Sequence, residues 1–339
     1  MTAHRLVVAA RPELADQAGR ILAPIEAELA ATEALLTSRL ASDVPFIRKT
    51  GEYVFAGGGK RMRPALLLLC ARLLGRRAEE AVTYAAVVEL IHTATLIHDD
   101  IIDHAELRRG RRTVHSIWGS NLTVLLGDWL YTTAMQMALA HDNLRVIDRL
   151  CDATLRMTEG ELLVLQRLGD PGLSEEEYLE IIDRKTARLF AAACAVPALM
   201  APADERALVA LERYGRSLGL CFQLVDDLLD YTASEDEVGK PVLSDLKEGK
   251  LTLPLLLALP RLDQAARRKV ENVLEDRAFT RVTAAEILEL VRREGTLQEV
   301  LALARRHADA ACAALADLPD GDERRGLELA PDFVLHRTA

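Results

Sequence analysis

The sequence predicts an all-α fold, and three observations carry that reading. Aromatic residues fill only 4% of the 339 positions while Leu, Ala, Arg and Glu dominate, a balance that favours straight-chain helix formers over strand formers. Apolar residues recur at three- to four-residue intervals through most of the chain, as on the buried stripe of an amphipathic helix. Gly, Pro and Asn clusters punctuate the pattern at intervals that suit helices rather than short strands.

In chain order, Ile21, Ile25 and Leu29 mark the first helical stripe. Gly57, Gly58 and Gly59 break the chain before Pro64, which suits the first turn of a helix carrying Leu66, Leu69 and Leu73. Gly75 ends that helix, and a long apolar helix follows up to a basic run at Arg108–Arg112. Further breaks fall at Gly119-Ser120-Asn121, Gly169-Asp170-Pro171-Gly172, Pro197 to Pro202, the polar Thr232–Lys250 segment and Leu318-Pro319-Asp320-Gly321-Asp322. About ten helices result, with Thr232–Lys250 expected as a flexible loop. With no repeat and no Gly/Ser/Pro-rich linker, residues 1–339 are expected to form one domain.

Composition also excludes function classes. A chain with 28% charged and 50% hydrophobic residues can build a sizeable core, so it is neither a disulfide-stapled miniprotein nor a disordered tail. A formal net charge of −10 argues against general attraction to nucleic acid or anionic membranes, while leaving room for a local basic pocket. Cys70, Cys151, Cys194, Cys221 and Cys312 show no metal-ligand spacing and are expected to be mostly reduced core thiols. The apolar run Leu6–Ala10 is too short for a signal-peptide core, and Leu189–Ala203 falls short of a membrane span, so a cytoplasmic protein with no integral membrane segment is expected.

The chemistry is concentrated in two copies of one acidic pattern, Asp99-Asp100-Ile101-Ile102-Asp103 and Asp226-Asp227-Leu228-Leu229-Asp230. On a helix Asp99 and Asp103 lie one turn apart on one face, where like charges repel unless a cation sits between them. Clustered hard oxygens, with no imidazole or thiolate, suit Mg²⁺, which keeps several waters and bridges to phosphate. Glu89, His92, Leu96, Asp99 and Asp103 follow a 3-4-3-4 spacing, so one stripe is expected to face a polar cavity. Gly57-Gly58-Gly59-Lys60-Arg61-Met62-Arg63-Pro64 places two or three cations before a helix, an anion-friendly turn that is not a P-loop because Arg61 follows Lys60. Arg108, Arg109, Arg111 and Arg112 follow the first acidic motif closely enough to clamp a metal-bound phosphate. Lys185, Thr186, Gln223, Lys240 and Lys250 complete the constellation.

Through GGGKRMRPAL, ELIHTATLIHDDIIDHAELRRG, LLGDWLYTTAMQMA, KTARLF, FQLVDDLLDY and GKPVLSDLKEGKLTLPLL, the chain resembles the trans-isoprenyl diphosphate synthases over about residues 20–338. Within that family it is most similar to bacterial polyprenyl diphosphate synthases of the octaprenyl, solanesyl and decaprenyl type. The resemblance implies a homodimeric, all-α helical bundle of the isoprenoid-synthase type around a deep central cavity. It implies a Mg²⁺-dependent prenyltransferase in which an allylic diphosphate, expected to be farnesyl diphosphate, ionises to a carbocation that the double bond of isopentenyl diphosphate attacks before a proton is lost.

By the same resemblance Asp99 and Asp103, with Asp100 beside them, and Asp226, with Asp227 and Asp230, hold about three Mg²⁺ ions. Asp226 is expected as the principal ligand of its motif. Lys60, Arg63, His92 and Arg109 correspond to positions that bind isopentenyl diphosphate, and Arg108, Lys185, Thr186, Gln223, Lys240 and Lys250 to those that bind the allylic diphosphate. Ala94 and Thr95 stand where the family sets the floor of the elongation tunnel. Neither is aromatic and the first motif has no two-residue insertion, which implies a long product, a quinone side-chain precursor of roughly forty to fifty carbons that is handed on to a membrane, with Met135 as a deeper floor. The alternative is a farnesyl or geranylgeranyl diphosphate synthase. Val242-Leu243-Ser244 departs from the Gly-containing stretch of many members, and the C-terminal DFVLHRTA ends with one basic residue, Arg337.

Overall fold

The computed structural model describes residues 12–56, 61–108, 110–201, 205–232 and 242–336. Helices account for 81% of the described residues, as the composition requires. The elements are α1 (Pro12–Leu22), α2 (Glu26–Arg39), α3 (Pro45–Ala56), α4 (Met62–Leu73), α5 (Ala78–Ile102), a hairpin of β1 (Leu107–Arg108) and β2 (Arg111–Arg112), α6 (Val114–Trp118), α7 (Ser120–Leu139) and α8 (Leu144–Gln166). They continue with α9 (Glu175–Ile182), a π turn (Asp183–Ala187), α10 (Arg188–Leu199), α11 (Glu205–Thr232), α12 (Ser244–Lys247), α13 (Leu253–Ala258), α14 (Gln264–Asp276), α15 (Ala284–Glu294), α16 (Thr296–Ala314) and α17 (Asp322–Leu335).

Seventeen α-helices among the described residues exceed the ten or so expected. The excess comes from single-turn helices such as α6 and α12 and from a break with a weak sequence signature: Gly295, at φ +71°, both ends α15 and starts α16. The Arg108–Arg112 break is a two-residue antiparallel hairpin, with Leu107 opposite Arg112 and Arg108 opposite Arg111. Of the Thr232–Lys250 segment, expected as a flexible loop, residues 233–241 lie outside the described residues. α11 runs to Thr232, and in the described part Leu243 and Leu246 are buried at 0% and 1% exposure, which pins α12 to the core.

The core is one contiguous apolar cluster running from Ala18 to Val334. At its centre α10 is buried at every position from Leu189 to Leu199, so its sequence is apolar all round rather than amphipathic. It packs against α4, α8 and α11, while α5 packs along α4 and α7. α5 is long and apolar enough by composition to cross a membrane, yet 72% of its most apolar window is buried inside the protein. Cys70, Cys194 and Cys221 are buried thiols as expected, whereas Cys151 is exposed and Cys312 half-buried; all five are free.

Candidate active site

The first acidic motif occupies the last turn of α5, with Asp103 as its C-cap. Asp100 is buried and accepts a 2.6 Å hydrogen bond from Nε of Arg108, which the hairpin brings back toward the helix end. Burial lifts the Asp100 carboxyl above its ordinary range despite the opposing Arg108. Asp99 is pushed up to about 6, first by burial, with Lys185 opposing the shift and Glu161 and Asp103 adding to it. Asp103 accepts from Nζ of Lys250 at 2.7 Å, and the same ammonium reaches Glu248 at 2.9 Å. Burial works to lower the Lys250 pKa, but these two carboxylates outweigh it and hold the side chain protonated.

The second motif lies near the end of α11. Asp226 is exposed, whereas Asp227 is 4% exposed and accepts from the Tyr178 hydroxyl and, at 2.8 Å, from Nε2 of Gln223. Burial drives Asp227 up to about 7 against those two hydrogen bonds, with Asp226 and Asp230 pushing the same way. Asp230 caps α12, accepting from the Ser244 backbone N–H at 3.0 Å, the Ser244 hydroxyl at 2.9 Å and the Asp245 N–H at 3.3 Å. The segment that carries Lys250 to Asp103 is therefore anchored on Asp230, which ties the two motifs together.

A second tie runs through the π turn. Such a turn carries one extra residue, a distortion often found at functional sites. Here Lys185 forms an ion pair with Glu161 of α8 and faces Asp99, while Thr186 donates to Oε1 of Gln223 at 2.7 Å. Two glycines admit the turn between its neighbours. A Cβ on Gly160 would lie 2.7 Å from the Lys185 nitrogen, and one on Gly219 would lie 2.6 Å from the Ala187 Cα.

On the basic side, Arg63 is 8% exposed and stacks its guanidinium 4.3 Å over the Phe190 ring. Arg61 is not available to an anion as the cluster of cations predicts. Its Nε and Nη1 each sit 2.5 Å from a carboxylate, of Glu33 and Glu89 respectively, which neutralises it. Glu89 thus leaves the acidic stripe for a structural ion pair, while His92, Leu96, Asp99 and Asp103 remain half-buried along it. Ala94 is 3% exposed, Thr95 hydrogen-bonds back to the His92 carbonyl at 2.8 Å, and Met135 packs half-buried on α7. Lys60, Arg109, Lys240 and Arg337 lie outside the described residues.

Glu161 and Tyr178 are absent from the sequence reading although both hold site residues in place. A glutamate among leucines of α8 and a tyrosine in a run of acids carry no signal of their partners, which are supplied by packing. Among the described residues no three His, Cys, Asp or Glu side chains converge on a point that would hold a metal by themselves. An oxygen-only donor set spread over two helices fits instead the way Mg²⁺ binds, through one or two carboxylates plus substrate phosphates.

The sequence matches the family described as polyprenyl synthetase over residues 44–291. It is 40% identical over 300 residues, 88% of this chain and 93% of the relative, to an octaprenyl diphosphate synthase of Escherichia coli (strain K12). A crystal structure of a Caulobacter crescentus CB15 polyprenyl synthase, complexed with calcium and isoprenyl diphosphate, superposes with a TM-score of 0.90 at 41% identity, covering 95% of this chain and 98% of that one. A decaprenyl diphosphate synthase from Rhodobacter capsulatus superposes with a TM-score of 0.87 at 37% identity, covering 96% and 99%.

Proposed function

The chain belongs to the polyprenyl synthetase family and is a prenyltransferase, and on that premise we propose that it is an all-trans long-chain polyprenyl diphosphate synthase. It extends an allylic diphosphate, with farnesyl diphosphate as primer, by successive head-to-tail condensation of isopentenyl diphosphate. The product is a quinone side-chain precursor of roughly forty to fifty carbons, made in the cytoplasm and passed to a membrane. The observation that carries the reading is the pairing of two half-tethered carboxylate clusters with a lysine and a threonine held between them.

Asp99, Asp103, Asp226 and Asp230 are the residues that would hold Mg²⁺, about three ions in all, which when bound neutralise the departing diphosphate. Lys185, Thr186, Gln223, Arg108, Lys240 and Lys250 orient the allylic diphosphate, with Lys185 placed where negative charge develops as the C–O bond breaks. Asp100 holds Arg108 in position and Asp227 holds Gln223. Lys60, Arg63, His92 and Arg109 bind isopentenyl diphosphate, so that its double bond meets the carbocation before bulk water does. The small residues Ala94 and Thr95 leave room for a growing chain, and Met135 closes it lower down.

The protein works as a homodimer in this reading. Leu122, Leu125 and Leu139 of α7 and Leu155, Leu162 and Leu165 of α8, each at least 41% exposed, form two apolar stripes that a second copy would cover. The decisive experiment is incubation of the purified protein with labelled isopentenyl diphosphate, farnesyl diphosphate and Mg²⁺, followed by chromatographic sizing of the dephosphorylated products. A single long polyprenol is expected; products ending at fifteen or twenty carbons would make it a short-chain synthase, and no incorporation would overturn the reading.

A further inference from the structure

The π turn begins at Asp183, whose carboxylate is 6% exposed with each oxygen taken by a different arginine. Oδ2 accepts from Nε of Arg188 at 2.9 Å, and Oδ1 accepts from Nε of Arg216 at 2.6 Å. Arg216 belongs to α11, the helix that also presents Gln223 and the second acidic motif, so this ion pair fastens the turn to α11. Asp183, Arg188 and Arg216 line a surface cleft of about 670 Å³ that Lys185 and Thr186 do not line.

Sterics alone leave the turn under-determined. Gly160 and Gly219 allow the backbone to come close, but a smooth contact with glycine does not select one register over the next. A slip of one residue turns the following side chains by about 100° around the helix axis, enough to point Lys185 away from Asp99. A buried polar contact with directional partners is the kind of device that fixes register. We infer that Asp183 is a positioning residue whose ion pairs with Arg216 and Arg188 hold the π turn in the register that aims Lys185 and Thr186 at the allylic diphosphate. The inference rests on the proposed role of those two side chains.

The test compares steady-state kinetics of Asp183→Asn and of Arg216→Ala, the latter a half-exposed side chain, with circular dichroism of each variant checked against wild type. Each is expected to raise KM for farnesyl diphosphate about tenfold with KM for isopentenyl diphosphate within about twofold of wild type. In a Lys185→Ala background, Asp183→Asn should add less than about twofold, since both changes remove the same interaction. If Lys185→Ala raises KM for farnesyl diphosphate but neither Asp183→Asn nor Arg216→Ala does, or if the effects simply multiply, the positioning role is wrong. If Lys185→Ala itself leaves that KM unchanged, the assignment of the diphosphate site falls, and the inference with it.

Discussion

At the scale of single residues the site is a set of carboxylates held at unequal cost. Asp226 is exposed and Asp99 half-buried, whereas Asp100 and Asp227 are buried behind their hydrogen-bond partners. Removing either outer carboxylate should abolish chemistry without touching the core: Asp99→Ala and Asp226→Ala are each expected to lower kcat roughly 10²- to 10³-fold while circular dichroism stays that of wild type. The raised carboxyl groups also make stability depend on pH. Asp99 and Asp227 titrate at about 6 and about 7 when folded but near 3.8 when unfolded, so between those values the native state binds more protons. Their stabilising contribution is complete below about pH 4 and is lost as pH rises through 6 to 7. Mg²⁺ competes with the proton on Asp99, so a thermal melt should show a larger Mg²⁺-dependent rise in Tm at about pH 8 than at about pH 5. An equal rise at both would detach the metal from Asp99.

At the scale of elements, the bundle positions the chemistry by lining up helix ends. The last turn of α5, the last third of α11 and the π turn between α9 and α10 carry the two acidic motifs together with Gln223, Lys185 and Thr186. The long helices, the doubled acidic pattern and the stripe from His92 to Asp103 were legible in the sequence, because each depends on spacing within one helix. The hairpin, the burial of Leu243 and the diversion of Glu89 and Arg61 into an ion pair were not. The hairpin pairs residues only a few apart in a basic run that carries no strand signal, whereas the others depend on partners farther along the chain, as Lys250 meets Asp103 across 147 residues and Tyr178 meets Asp227 across 49. The π turn is likewise invisible in IIDRKTARLF, which has ordinary helical periodicity. A prediction at this scale concerns α5 where it packs along α7. Ala94→Phe should shorten the product by several isoprene units, read as a shift of the polyprenol peak. An unchanged distribution would remove Ala94 from control of length.

At the scale of the whole molecule, the apolar leucines on α7 and α8 set the expected assembly. Sedimentation should give a species of about twice the 37.3 kDa chain mass, and the pair Leu125→Glu with Leu162→Glu should move it to the monomer while leaving the core untouched. The contact between Lys250 and Asp103 also bears on the molecule over repeated turnovers. An acidic cluster that keeps an ammonium of its own between turnovers has less repulsion to overcome at the helix end while no other cation is bound.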